Sequence, residues 1–221
     1  MARVVITGGN RGIGLELARL YAEAGDEVVL GVRRPETASG APGEVLPLDV
    51  ASDASVGAFA EALGGRPVDV LVNNAGVIGP GRQSTRDTDF GGFLDALNIN
   101  TLGPLRVTQA LLPNLKAAGG AKLAIISSRM GSLAHASSGQ IAYRASKAAV
   151  NKLVQCLAAD LASDGITVVS LHPGWVRTDM GGPSADIAPE ESARGLKAVI
   201  YGLSPAETGQ FRNYDGTAIS W

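Results

Sequence analysis

The chain has 221 residues, of which 45% are hydrophobic and 18% are charged, and its formal net charge is −2. A chain of this size can bury a sizeable core, and its weak negative charge without Lys/Arg runs argues against a nucleic-acid partner. The single cysteine excludes an internal disulfide, and one cysteine with two histidines is too few for the usual metal sites, so no metal is expected. No signal-peptide pattern and no apolar run near ~18 residues is visible, which favours a cytoplasmic enzyme or binding domain without membrane contact.

Short apolar, β-branched runs alternate along the chain with longer segments whose apolar residues have helical spacing. Strands are predicted at 3–7, 27–32, 44–50, 68–74, 122–128, 166–172 and near 208–215. Helices are predicted at 12–24, 52–64, 90–118, 140–164 and 190–201. Near-continuous apolar strands separated by helices indicate a parallel sheet buried on both faces. The pattern therefore predicts an α/β fold over residues 1–221, a single doubly wound domain of Rossmann type with a mostly parallel seven-stranded sheet.

Polar and glycine-rich segments follow six of the predicted strands. Ligands of doubly wound sheets bind at the carboxyl ends of the strands, so these segments are candidates for a binding site. The segments are Gly8–Gly14, Arg33, Asp49, Asn73–Gly76, Ser127–Ser128 and Pro173–Thr178.

The segment VVITGGNRGIG at 4–14 joins the first predicted strand to the first helix. Glycines lack a Cβ, which lets the backbone approach a phosphate, and a helix N-terminus favours negative charge. The spacing matches neither the P-loop nor the G-x-G-x-x-G turn. Taken alone, the segment predicts either a pyrophosphate-binding turn or a tight turn that needs glycine only for positive φ.

Tyr143 and Lys147 are four residues apart and would share one face of a helix. An ammonium at ~4 Å contributes about 4 kcal/mol at an effective dielectric near 20, which would lower the pKa of the phenol by roughly three units before desolvation opposes it. The pair therefore predicts a tyrosine that acts as a general acid or base. The alternative for an isolated pair is an exposed aromatic ring beside a solvated lysine.

Five further segments resemble ordered motifs of one family. With T-G-x-x-x-G-x-G at 7–14, the chain carries NNAG (73–76), NINTLG (98–103), ISS (126–128), YRASK (143–147) and PGWVRT (173–178). Over nearly its whole length the chain resembles the short-chain dehydrogenase/reductase family. The segments SSRMGS, AYRASKAAVN, LHPGWVRTDMGG and YDGTAISW are similar to the C-factor and sniffer-type carbonyl reductase subgroup.

The resemblance implies four catalytic residues. Tyr143 would exchange a proton with the substrate oxygen, Lys147 would bond the nicotinamide ribose, and Ser128 would hold the substrate oxygen. Asn100, rather than Asn98, would secure a water that links Lys147 to solvent. The substrate-binding residues would be Ser128, Tyr143 and Trp175, within a substrate region around 174–195.

The resemblance also implies a nicotinamide cofactor. Members that bind NAD place an acidic residue at the end of the second strand; here Val32 stands there and Arg33 and Arg34 follow. A guanidinium can form two hydrogen bonds with the 2′-phosphate of NADP(H). Arg11 is a second candidate for this contact. NADP(H) is therefore expected to be preferred over NAD(H). The alternative is that these arginines are merely solvated. The expected cofactor-binding residues are Gly8, Asn10, Arg11, Gly12, Ile13, Gly14, Arg33, Asp49, Val50, Asn74, Ala75, Gly76, Tyr143, Lys147, Pro173, Gly174, Val176 and Thr178.

These features predict an NADP(H)-dependent oxidoreductase that transfers a hydride between nicotinamide and a small carbonyl or alcohol substrate. The alternative function is an NADP(H)-binding signalling or sensor protein of C-factor type with little turnover. Family members commonly pair helices that correspond to 90–118 and 140–164, so a homodimer is expected first and a homotetramer second.

The loop before Tyr143 is longer than in much of the family. Ser128 lies 15 residues before Tyr143, and the extra residues fall in a small, polar loop at 132–141.

Three residues near the expected site, one of them in this loop, are interpreted as structural. His135 in this loop is expected at the surface and His172 as a structural residue at a strand end. Cys156 is interpreted as a core residue of the helix that carries Tyr143.

Overall fold

The strands of the computed structural model, which describes all 221 residues, form one seven-stranded sheet. Their order is β3-β2-β1-β4-β5-β6-β7, and every neighbouring pair is parallel. The seven-stranded parallel sheet predicted from the sequence is therefore confirmed. The strands are β1 (Arg3–Thr7), β2 (Glu27–Val32), β3 (Glu44–Pro47), β4 (Val70–Asn73), β5 (Lys122–Ile126), β6 (Thr167–His172) and β7 (Gln210–Asn213).

Helices cover both faces of this sheet. Alternate residues of β1 enter two different apolar layers: Val4 and Ile6 pack in the layer with α1 and α7, and Val5 packs in the layer with α2, α4, α5 and α6. This alternation explains why the strands read as continuous apolar runs. The helices are α1 (Gly12–Glu23), α2 (Asp53–Leu63), α3 (Phe90–Leu97), α4 (Gly103–Ala110), α5 (Leu112–Ala117), α6 (Ile141–Leu161) and α7 (Pro189–Gly202). None of them combines the length and apolar character needed to cross a membrane.

The helix predicted at 90–118 is three helices, so the prediction of one continuous helix is wrong. A π-helical turn, Asn98–Leu102, separates α3 from α4, and a proline stands in the first turn of both α4 and α5. Proline lacks an N–H and fits the start of a helix better than its interior. Apolar periodicity continues through such breaks and does not reveal them.

Several predicted strands are longer than the observed ones. Those predicted at 44–50, 68–74 and 122–128 end at Pro47, Asn73 and Ile126. Beyond these ends, Asp49, Asn74 and Ser127 line the cleft at the carboxyl ends of the strands.

Cys156 is exposed on α6, so its assignment to the core is wrong. The buried face of α6 includes, at four-residue spacing, Val150, Val154 and Ala158. Cys156 lies two residues from Val154 and therefore on the opposite side of the helix.

The strand order reverses between β1 and β4. Strands β2 and β3 follow β1 on one side of it, and β4 pairs with β1 on the other side. In doubly wound sheets the crevice at this reversal is where ligands bind. The glycine turn after β1 and the NNAG segment after β4 therefore meet at this point.

Candidate active site

A cleft of about 740 Å³ opens at the carboxyl ends of the strands. Sixteen of the residues expected at a cofactor line it; the other two, Gly174 and Val176, do not. Gly174 packs against Ile187 and Tyr214, and Val176 is buried and bridges to Ile187. The sixteen are Gly8, Asn10, Arg11, Gly12, Ile13, Gly14, Arg33, Asp49, Val50, Asn74, Ala75, Gly76, Tyr143, Lys147, Pro173 and Thr178.

The glycine turn forms a close-packed cradle at one end of the cleft. Gly8 has a φ of +69°, and a Cβ on Gly14 would lie 2.5 Å from the Gly8 carbonyl oxygen. Asn74 Nδ2 donates to the carbonyl oxygens of Thr7 and Gly8 at 3.0 and 3.1 Å. No side chain caps the N-terminus of α1, which begins at Gly12. Glycine backbone without side chains in the way, the N–H groups at the start of a helix and a positive dipole end suit the pyrophosphate of a dinucleotide.

Basic side chains line the adjacent part of the cleft, beyond β2. Val32 is buried at the end of this strand, and the exposed Arg33 takes part in no ion pair. Arg11, by contrast, is held by Asp179 at 2.7 Å. Arg33 is thus an unpaired cation available to a phosphate, whereas Arg11 already has a carboxylate partner.

Tyr143 and Lys147 lie on one face of α6 and are 8% and 5% exposed. Lys147 Nζ donates to the carbonyl oxygen of Ile126 at 2.8 Å and lies 5.8 Å from the centre of the Tyr143 ring. The α6 helix thus brings the pair together at the end of β5. The alternative of an exposed ring beside a solvated lysine does not describe this pair.

Burial controls the ionisation of both side chains. Loss of solvent lowers the pKa of Lys147 to about 8 and raises the pKa of Tyr143, while a hydrogen bond from Ser128 opposes that rise. The expected net lowering of the tyrosine pKa by the lysine charge is not found: burial dominates the pKa of the phenol, and Lys147 is not among the groups that lower it.

Ser128 is buried beside Tyr143 at the end of β5, although it does not line the cleft. Its hydroxyl lies close enough to the phenol to oppose the rise in the pKa of Tyr143, and its Oγ accepts the Met130 N–H at 3.1 Å. Two hydroxyls are thereby brought together, which could share one substrate oxygen.

Asn100 projects from the π-helical turn and fixes the backbone beside Lys147. Its side chain accepts the Val77 N–H and donates to the Val77 carbonyl oxygen, each at 2.8 Å, and it also donates to Ser146 Oγ at 3.0 Å. A Cβ on Gly76 would lie 3.2 Å from Asn100 Oδ1 and 3.7 Å from Lys147 Nζ. Insertion of a π turn is a common device at functional sites, and here it gives Asn100 its position. Asn100 itself does not line the cleft.

Gln83 is a site residue that sequence reasoning missed. The residue before α6, Gln140, has a φ of +50° and makes no side-chain cap. Gln83 supplies the cap instead: its backbone oxygen accepts from the Ile141 N–H and its Oε1 from the Tyr143 N–H, both at 3.1 Å. No local pattern signals this contact, because the partners are 60 positions apart.

Trp175 stands beside the cleft rather than in its lining, and half of its surface is exposed. Its Nε1 donates to the Gly181 carbonyl oxygen at 2.9 Å. Met180, which was not expected in the site, lines the cleft. His135 is exposed, as expected, and His172 ends β6, where burial lowers its pKa to about 4.

The strand order, the glycine turn and the buried Tyr143–Lys147 pair define a doubly wound α/β protein with a dinucleotide-type cleft. Residues 2–187 match the family model described as short chain dehydrogenase. The chain belongs to this family and is therefore classed with oxidoreductases.

The chain is similar to proteins from a bacterium, a bird and an insect. It is 47% identical to the C-signal protein of Myxococcus xanthus over 165 residues, which cover 74% of this chain and 99% of that protein. Its fold matches an NADPH-bound carbonyl reductase from chicken fatty liver with a TM-score of 0.93, at 31% identity over 100% and 99% of the two chains. The carbonyl reductase Sniffer of D. melanogaster also matches with a TM-score of 0.93, at 31% identity over 100% of both chains. The predicted resemblance to C-factor and sniffer-type members is confirmed.

Proposed function

We propose that the protein is an NADP(H)-dependent oxidoreductase that interconverts a small carbonyl compound and its alcohol. The observation that carries this proposal is the buried Tyr143, with Ser128 beside it and Lys147 one turn along the same helix, in the same cleft as the glycine turn. NADP(H), when bound, would supply or accept the hydride. The chain's own side chains bind and orient the reactants and move one proton.

The proton step belongs to Tyr143. In reduction its hydroxyl donates a proton to the substrate oxygen, and in oxidation the phenolate accepts it. The hydroxyl of Ser128 holds the same substrate oxygen. Lys147, with a pKa of about 8, can exchange a proton near neutral pH, and Asn100 secures a water that connects it to solvent.

The cofactor would lie along the cleft, with its pyrophosphate on the glycine turn and its nicotinamide ribose near Lys147. Preference for NADP(H) over NAD(H) rests on Arg33, which has no competing carboxylate, and on Val32, which cannot bond ribose hydroxyls. The NADPH bound in the chicken carbonyl reductase supports this proposal. Arg11 contributes less to this preference, because its guanidinium already forms an ion pair with Asp179.

The substrate would approach along the segment 174–195, whose Trp175 and Met180 offer partly exposed apolar surface. We further propose a homodimer as the working assembly, ahead of a tetramer. Phe90 and Leu94 on α3 are 76% and 66% exposed, and apolar side chains this exposed on one helix are typical of an interface.

A signalling or sensing role without turnover is the second candidate, because C-signal is 47% identical to this chain. Binding alone would not require a buried tyrosine with Ser128 beside it. The complete Asn100, Ser128, Tyr143 and Lys147 set therefore favours catalysis.

The experiment is a screen of carbonyl compounds that follows NADPH absorbance, with Tyr143→Phe as the matched variant. We expect Tyr143→Phe to lose about 10²- to 10⁴-fold in turnover, the usual contribution of general acid–base catalysis, while NADPH affinity changes only a few-fold. Turnover above about a tenth of the wild-type value would contradict the assigned proton donor. Tight NADPH binding by the wild type without turnover of any carbonyl would favour the sensor.

A further inference from the structure

Asn151 lies one helical turn beyond Lys147 on α6 and is buried. Its Oδ1 accepts hydrogen bonds from Ser127 Oγ at 2.6 Å and from Ser170 Oγ at 2.8 Å. Its Nδ2 donates to the Gly131 carbonyl oxygen at 3.3 Å. One amide thus joins α6 to β6 and, at two points, to the segment that follows β5.

Two of these three contacts flank Ser128. Ser127 directly precedes it. Gly131 ends the short 3₁₀ turn Arg129–Gly131, and the Gly131 N–H donates to the Ser128 carbonyl oxygen at 2.8 Å. The backbone of Gly131 packs directly against α6: a Cβ at this position would lie 2.5 Å from the Lys147 carbonyl carbon. The chain on both sides of Ser128 is therefore fastened to the helix that carries Tyr143 and Lys147.

We propose that Asn151 is a positioning residue that sets the separation between Ser128 and the Tyr143–Lys147 pair. The inference rests on the proposed function, since it assumes that Ser128 and Tyr143 share one substrate oxygen. Asn151 does not line the cleft and touches neither reactant, so it acts through Ser127 and Gly131.

The chemistry makes this separation sensitive to small errors. A substrate oxygen has to receive hydrogen bonds from two hydroxyls on different elements, Ser128 in the segment after β5 and Tyr143 on α6. A displacement of about 1 Å can reduce the rate by about a hundredfold. A buried amide with its hydrogen bonds made is a rigid spacer, because breaking any of these bonds leaves a buried polar atom unpaired.

The two serines provide a matched pair of variants. Ser127 and Ser170 are 2% and 0% exposed, and each donates one hydrogen bond to the same Asn151 oxygen. Ser127 adjoins Ser128 and itself lines the cleft, so NADPH affinity has to be measured beside kcat, whereas Ser170 lies inside β6 between Val169 and Leu171, away from the cleft. Their alanine variants should therefore cost similar stability but affect Ser128 differently.

The test compares the wild type with Ser127→Ala, Ser170→Ala and Asn151→Leu, using kcat, NADPH affinity and thermal unfolding. We expect Ser127→Ala and Asn151→Leu to lower kcat by about tenfold or more and Ser170→Ala to change it by less than about twofold, with NADPH affinity nearly constant in all three. The two serine variants should unfold at similar temperatures.

Equal kcat values for the two serine variants, or a loss of kcat that follows the loss of stability, would overturn the positioning role. If Asn151→Leu does not fold, the comparison of the two serine variants still decides. A wild type without turnover would instead refute the proposed function, so the two failures are distinguishable.

Discussion

Replacing Lys147 by methionine should make the ligand-free protein more stable while removing its activity. Burial lowers the pKa of this lysine from 10.5 to about 8, and at about 1.4 kcal/mol per pKa unit the buried charge costs about 3 kcal/mol. Methionine has a similar length and no charge. The variant loses the hydrogen bond to the Ile126 carbonyl oxygen, worth about 1 kcal/mol, which leaves a net gain of about 2 kcal/mol.

The pH dependence of this gain follows from the two pKa values. Below pH 8 the lysine is protonated in both the folded and unfolded chain, so the wild type bears the full cost. Between pH 8 and 10.5 the folded chain has released the proton and the unfolded chain retains it, so wild-type stability rises with pH. The advantage of Lys147→Met should therefore be present at pH 7 and fade toward pH 10.5.

Thermal unfolding followed by circular dichroism at several pH values measures this difference. A gain of about 2 kcal/mol corresponds to about 4–8 °C in a chain of this length. The exposed Lys152 on the same helix supplies the control, since Lys152→Met should change stability by no more than about 0.5 kcal/mol. A Lys147→Met variant that is less stable at pH 7, or whose advantage does not change with pH, would refute the reasoning.

Two further predictions concern the cofactor and the assembly. Arg33→Ala should weaken NADPH binding by about tenfold or more and NADH binding little, because a charge-assisted hydrogen bond is worth about 1.5–3 kcal/mol; Arg11→Ala, whose guanidinium already pairs with Asp179, should have the smaller effect. Fluorescence titration with both cofactors checks this, and equal wild-type affinities for NADPH and NADH would contradict it. Leu94→Glu on the exposed face of α3 should convert the proposed dimer into a 22.5 kDa monomer in light scattering; a wild type that is already monomeric at micromolar concentration would contradict the dimer.

The sheet could be predicted because each strand is buried on both faces. Val4, Val5 and Ile6 are all fully buried although they enter two different layers, so they read as one apolar run. The break at Asn98–Leu102 could not be predicted, because the contact that Asn100 makes there, with Val77, lies outside the helix and 23 positions away in the chain. Periodicity records which residues are apolar and carries no signal for a contact of that kind.

The lining of the cleft was predictable where its residues stand directly after strands, as for the glycine turn and Arg33. Its electrostatics were not, since the Lys147 ammonium turns to the Ile126 carbonyl oxygen and both members of the pair are desolvated. The Arg11–Asp179 ion pair joins residues 168 positions apart. Such contacts follow from the three-dimensional fold and leave no local pattern.

The cap that Gln83 provides has a consequence for altering this enzyme. Loops around clefts of this kind are attractive targets for exchange, on the premise that a loop and the catalytic helix can be changed independently. Here the loop after β4 completes the first turn of α6 at Tyr143 itself. A loop exchange that omits Gln83 or shifts its register would move the tyrosine, so a change intended to alter substrate choice would also alter the rate.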